Sequence, residues 1–143
     1  MIWKRLSELL RGNPYQADLQ TFRLGREQLE AKFLELAASS GKPRGLRWIS
    51  AEWLPGVQFA VDRNTQMLTA FASVNLRFEA IEGGDMEDVD AVSTVRDACA
   101  LFHCQGGVWG TGGRALFNMD PKLALERFSE QYEPLEDLPS SDR

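Results

Sequence analysis

From Leu68 to Ala80 the chain alternates in a way that only a sheet can use. Leu68, Ala70, Ala72, Val74, Leu76, Phe78 and Ala80 fall on one side of an extended strand, and Thr69, Ser73, Asn75, Arg77 and Glu79 on the other. Two further sheet-forming stretches share the middle of the chain with this one, and a helix signal stands at either end of them. Asn13-Pro14 opens the first helix and Asp120-Pro121 the last: a side-chain oxygen can accept from free N–H groups, and proline suits the first helical position. The order implies an α+β fold, a twisted antiparallel sheet of four to five strands with a long N-terminal helix and a short C-terminal helix packed on it.

The first helix is expected over residues 14–40. Tyr15, Leu19, Phe22, Leu29, Phe33 and Leu36 recur at helical steps, Gln16 completes a capping box with Asn13, and Gly41 and Pro43 stop the element. Such a helix would be about 40 Å long, enough to cross a small sheet. Leu46–Trp53 then reads as a strand turned at Pro55-Gly56, followed by Val57, Phe59 and Val61 in alternation and a hairpin turn at residues 62–65. After Gly83-Gly84, residues 85–95 fit a loop with a helical turn. Ala98–Cys104, Val108-Trp109 and Ala115–Asn118 read as the remaining sheet, and residues 121–132 as the last helix with Tyr132 on its inner face. Domain organisation follows: a short amphipathic helix over 1–12, one α+β domain over 13–133, and an acidic, disordered tail over 134–143. In architecture alone this order resembles cone-shaped cystatin- or ketosteroid-isomerase-like domains, and small acidic secretion-chaperone-like modules. No motif carries either likeness, so neither implies an activity.

Charge narrows the partners. The net charge of −5 divides unevenly: residues 1–47 hold nine Lys/Arg against five Asp/Glu, while the rest hold seven against sixteen. An acidic body argues against nucleic acid, which needs clustered Lys/Arg on phosphates. No apolar run approaches the roughly 20 residues of a membrane span. Lys4, Arg5, Glu8 and Arg11 interrupt any secretory h-region. A cytoplasmic protein without membrane attachment is expected, with Cys99 and Cys104 as buried free thiols on opposite faces of a strand.

Six carboxylates crowd the middle of the chain: Glu79, Glu82, Asp85, Glu87, Asp88 and Asp90. Hard cations want several oxygen ligands, which makes Asp85, Glu87, Asp88 and Asp90 the metal candidates. The spacing of a calcium-binding hand is missing, so the segment reads as a solvated connection or a patch for a basic partner. Gly106, Gly107, Gly110, Gly112 and Gly113 surround Trp109 without phosphate-loop spacing, and fit two tight turns about a short strand.

His103 is the lone histidine, which rules out a multi-histidine metal site. Strand parity puts it on one face with Asp97, Cys99 and Leu101, but Cys99 lies roughly 13 Å away, too far for a nucleophile–base pair. A neighbouring strand offering Asn75, Arg77 or Glu79 would give His103 a polar pocket. Arg26 interrupts an apolar stripe and is either a snorkelling side chain or a cation for a carboxylate or anionic ligand. Trp48 and Trp53 differ by an odd step and so face opposite ways in an unbroken strand.

The residues favour a non-enzymatic protein-binding or adaptor module, with a protein partner or a second copy and no cofactor. Its binding surface would be a sheet face or residues 1–12. The alternative is a small-molecule-binding or hydrolytic domain with a pocket between the long helix and the sheet, lined by Arg26, Arg77, Glu79, Asp97 and His103. A purely structural subunit is the third possibility.

Overall fold

The computed structural model describes residues 14–40, 45–81 and 95–135. Within them the chain is α+β: an antiparallel sheet with helices on both faces. In chain order come α1 (Gln16–Leu24), α2 (Arg26–Ser39), β1 (Leu46–Asp62), β2 (Leu68–Ala80), β3 (Val95–Gln105), β4 (Val108–Gly110), β5 (Ala115–Phe117), α3 (Pro121–Arg127) and β6 (Tyr132–Pro134). The sheet has six strands in the order β4-β3-β2-β1-β6, with β5 also on β3. No helix of the described residues is long and apolar enough to cross a membrane.

The alternation of β2 sets which side chains meet. Ala70, Ala72, Val74, Leu76 and Phe78 join Phe22 and Phe33 of the helices in one buried cluster, with Ala98, Ala100 and Phe102 of β3. Rings meet at preferred edge-on distances: Phe22 lies 5.5 Å from Phe102, and Phe33 5.5 Å from Trp53. On the opposite face a smaller cluster of Ala60, Phe71, Cys99 and Leu101 is capped by Ala124 and Leu125 of α3. Asp120 accepts from the Leu123 amide at 2.8 Å, with Pro121 at the first position, so α3 starts as its sequence signal implies.

Several expectations need correction. The long helix over 14–40 is two helices, broken at Gly25, whose ψ of 12° leaves the helical well. Tyr15 precedes α1 without a side-chain cap, and Asn13 lies outside the described residues. Pro55-Gly56 is not a turn. β1 runs 17 residues as one strand, and two irregularities, at Trp48/Ser50 and Trp53/Val57, absorb the extra residues. The first irregularity moves Trp48 and Trp53 to one face, where Phe33 stands 6.4 Å and 5.5 Å from them. The last helix stops at Arg127, not 132. Tyr132 instead opens β6, opposite Asp62, and its ring packs edge-on to Phe71 at 5.0 Å. That pairing adds a sheet strand beyond the four to five expected, and Pro134 and Leu135, assigned to the tail, belong to the sheet and its packing.

The outer side of β3 is closed by a short path. β4 covers Gln105 to His103, and β5 covers Ala100 to Ala98. Between them Thr111 donates to the Leu101 carbonyl at 2.7 Å, and the Leu101 amide donates to the Arg114 carbonyl at 3.1 Å. Gly113 lets this connection approach α2. At φ +78° an added Cβ would sit 2.8 Å from the Ala37 nitrogen, so no other residue fits without a shift.

Candidate functional site

The hairpin joining β3 to β4 carries open apolar surface on both faces. Gly106 and Gly107 both have positive φ, +59° and +80°, the backbone of a tight two-residue loop. Such a loop makes Gln105–Val108 the doubly hydrogen-bonded pair, and Cys104–Trp109 the pair that does not exchange bonds. The Trp109 amide and carbonyl therefore point away from β3, toward the free edge of the sheet. No backbone group among the described residues pairs with them.

Trp109 itself is fixed. Its indole nitrogen donates to the Asp18 carbonyl of α1 at 2.7 Å, and its ring lies 4.9 Å from Phe22 and 6.2 Å from Phe59. A groove opens on either side of it. On the helix side, one of ≈ 540 Å³ runs between the α1–α2 junction, with Leu24, Gly25 and Leu29, and the hairpin residues Val108 and Trp109. On the other face, one of ≈ 550 Å³ is lined by Met67, His103, Gln105, Val108, Trp109 and Gly110. Two apolar side chains on the rims are largely bare: Leu24 on the helix side at 81% exposure, and Val108, which borders both grooves, at 70%. An added Cβ at Gly110 would meet nothing within 4 Å.

The second groove is the one that holds a titratable group. His103 stands opposite Thr69 of β2, and Nδ1 lies 3.5 Å from the Thr69 hydroxyl. That hydroxyl donates to the Met67 carbonyl at 3.3 Å, so it is placed to accept from an Nδ1–H. Burial holds the His103 imidazolium below the usual histidine range, and the Arg114 guanidinium pushes the same way, against a weaker pull from Asp62. At neutral pH the ring is therefore uncharged. Arg114, on the same face by its register beside Leu101, is exposed and forms no ion pair among the described residues. Asp62 is occupied in its own turn. One oxygen accepts from the Asn64 and Thr65 amides at 2.8 and 3.1 Å, and the other from Gln131 at 3.3 Å. Those backbone bonds hold its carboxyl below the ordinary range.

The residues singled out in the sequence do not converge. His103 pairs with Thr69, whereas Asn75 pairs with Asp97 and Arg77 with Val95. Arg77 thus lies eight residues along β2 from the position facing His103, roughly 26 Å at strand rise. Glu79 is farther still and forms an exposed pair with Arg47 at 3.5 Å. Asp97 is exposed, and its carbonyl accepts from the Asn118 amide. Arg26 sits at the start of α2, where Nε meets Glu30 at 2.7 Å and Nη2 donates to the Leu54 carbonyl at 2.6 Å. Its donors hold the irregular stretch of β1 at Leu54 against the helix. The space between helices and sheet, where a pocket was expected, is filled in the described residues by Phe22, Phe33, Phe102, Trp48 and Trp53. The metal candidates Asp85, Glu87, Asp88 and Asp90, and residues 1–12, lie outside the described residues.

Cys99 and Cys104 are free and buried on opposite faces. Burial pushes the Cys99 thiol up to about 12, with Asp120 adding to it, so it is no nucleophile at neutral pH. What sequence reasoning missed is the pairing of α1 with β4. Trp109 amid its glycines was visible, but the helix laid across it was not. No family model, curated protein or solved structure matches the chain. The architectural likenesses drawn from the sequence therefore bring no activity with them.

Proposed function

We propose that this protein is a non-enzymatic binding module that takes an extended segment of a protein partner as an added strand along β4. The observation that carries the reading is an open sheet edge, with outward backbone groups at Trp109, flanked by an apolar groove on each face. Strand addition uses both features: main-chain bonds supply affinity, and side chains of the added strand alternate between the two faces. The rigid seat of Trp109 means that its edge is organised before a partner arrives, which limits the ordering cost of binding. The scattered positions of His103, Arg77, Glu79 and Asp97 support a non-catalytic role.

The test is selection of random linear peptides displayed on phage against the intact chain, followed by calorimetry of the selected peptides. Val108→Asn and Leu24→Asn, both at exposed positions, should weaken binding at least several-fold while leaving the melting temperature in place. Unchanged affinity in both variants refutes this site.

A further inference from the structure

The two grooves beside β4 differ in chemistry, and the difference specifies what an added strand must carry. The helix-side groove is walled by Leu24, Leu29 and Trp109 with the neutral Thr21 and Gln28, and no charged side chain lines it. The other groove has Met67 and Trp109 in its walls, but His103 lines it and Arg114 stands on the same face. Register fixes Arg114 there: β5 pairs Ala115 with Ala100 and Leu116 with Cys99, so the next position back is opposite Leu101, whose side chain shares that face with His103. Nearby Asp62 carries the opposing charge, but its two oxygens already accept from Asn64, Thr65 and Gln131. Arg114 is left as an exposed cation with no ion pair among the described residues.

We propose that the segment added to β4 is an alternating apolar–acidic strand, with apolar side chains in the groove under α1 and α2 and a carboxylate over the opposite face, paired with Arg114. This inference rests on the strand-addition reading and gives that site its partner chemistry. A residue facing Trp109 across the edge shares the helix-side face with it, and its two neighbours project to the face of His103 and Arg114. One extended segment thus meets both grooves. Complementary charge across the face fixes its register and rejects a basic strand, because like charges set opposite each other repel.

The experiment compares three capped peptides, Leu-Glu-Leu-Glu-Leu and its analogues with Gln or Lys at both Glu positions, by calorimetry against the full chain at low salt. The Glu peptide should bind about two- to five-fold tighter than the Gln peptide, the scale of an exposed ion pair, and the Lys peptide should bind weakest. Arg114→Glu should invert the order of Glu and Lys, and added salt should compress the differences. An unchanged order in Arg114→Glu, while Val108→Asn still weakens all three peptides, overturns the acidic preference and leaves strand addition standing. Equal affinities in the Val108→Asn protein, or no binding of any peptide, overturn strand addition and this inference together.

Discussion

Beneath α2, Phe33 has no exposed surface and packs among Trp48, Trp53 and Phe102. At the β4 edge, Trp109 is also set beneath a helix, yet the apolar side chains around it, Leu24 and Val108, are left mostly in water. Both regions use an aromatic ring pinned between helix and sheet. Under α2 the rings pack directly on one another. At β4 the single ring is anchored on one edge, and the flanking volume stays open on both faces. The first arrangement is filled by its own rings, while the second leaves apolar side chains in water beside a ring that is itself packed on Phe22 and Phe59. Exposed apolar side chains gathered round an organised edge are what a docking site requires, since scattered ones need no explanation.

The largest break in this contrast comes from the sealed region. Phe33→Ala should destabilise the protein by about 3–5 kcal/mol, the usual cost of emptying an aromatic site that its neighbours cannot refill. Urea unfolding followed by tryptophan fluorescence reads it directly. A loss below about 1 kcal/mol would mean that the helix-covered face is loosely packed, and the distinction between the regions would fail.

Arg26 gives the next effect, and it probes how the sealed region is held. Its guanidinium spans Glu30 and the Leu54 carbonyl, with only 21% of the side chain exposed. Arg26→Met keeps the stem but strips both bonds, leaving a carbonyl and a carboxylate short of a partner. A loss of about 1–3 kcal/mol is expected from hydrogen bonds to a charged group. Arg26→Lys should recover only part of it, because one ammonium cannot reproduce the planar fork. If Arg26→Met unfolds at the same urea concentration as the parent, the irregular stretch at Leu54 is held by the sheet alone.

These two positions also show what could be read from the chain beforehand. Phe33 stands at helical spacing from Leu29 and Leu36. The β2 alternation sorted its residues into two faces, one of which shares a core with Phe33, but did not say which face the helix would cover. Local periodicity carries that much because burial acts on each residue separately. Parity along β1 was misread because one inserted residue exchanges the two faces, and nothing in Trp48–Trp53 signals a bulge at Ile49. Gly25 was a visible weak point, but the apolar stripe continues past it and argues for one helix. Tyr132 fits a helical step from Phe128, yet its pairing with Asp62 joins distant parts of the chain, which no local pattern reports. The site failed on the same ground. Which β2 residue faces His103 depends on β2–β3 register, and that placed Thr69 there instead of Asn75, Arg77 or Glu79.

The smallest effect lies in the groove on the far face of the β4 edge and concerns His103. Its imidazole takes up a proton less readily in the fold than in the unfolded chain, whose value is near the ordinary 6.5, because burial disfavours the cation and Arg114 repels it. As pH falls through about 6.5, the unfolded state binds a proton first, so the difference in bound protons favours unfolding. The contribution is fully present above that pH and declines below it, until the native ring also protonates. Asp62 titrates from a value already lowered beneath 3.8, outside this window, and cannot supply the slope. Thermal melts from about pH 8 to about pH 5 should therefore show a decline that His103→Gln flattens. Arg114→Gln should flatten it in part, since the charge of Arg114 is the second cause after burial. Parallel curves for parent and His103→Gln would mean that the ring is as well solvated in the fold as out of it. The groove on that face would then be no drier than open sheet, and the contrast between a sealed face and a structured edge would reduce to one between buried and merely exposed.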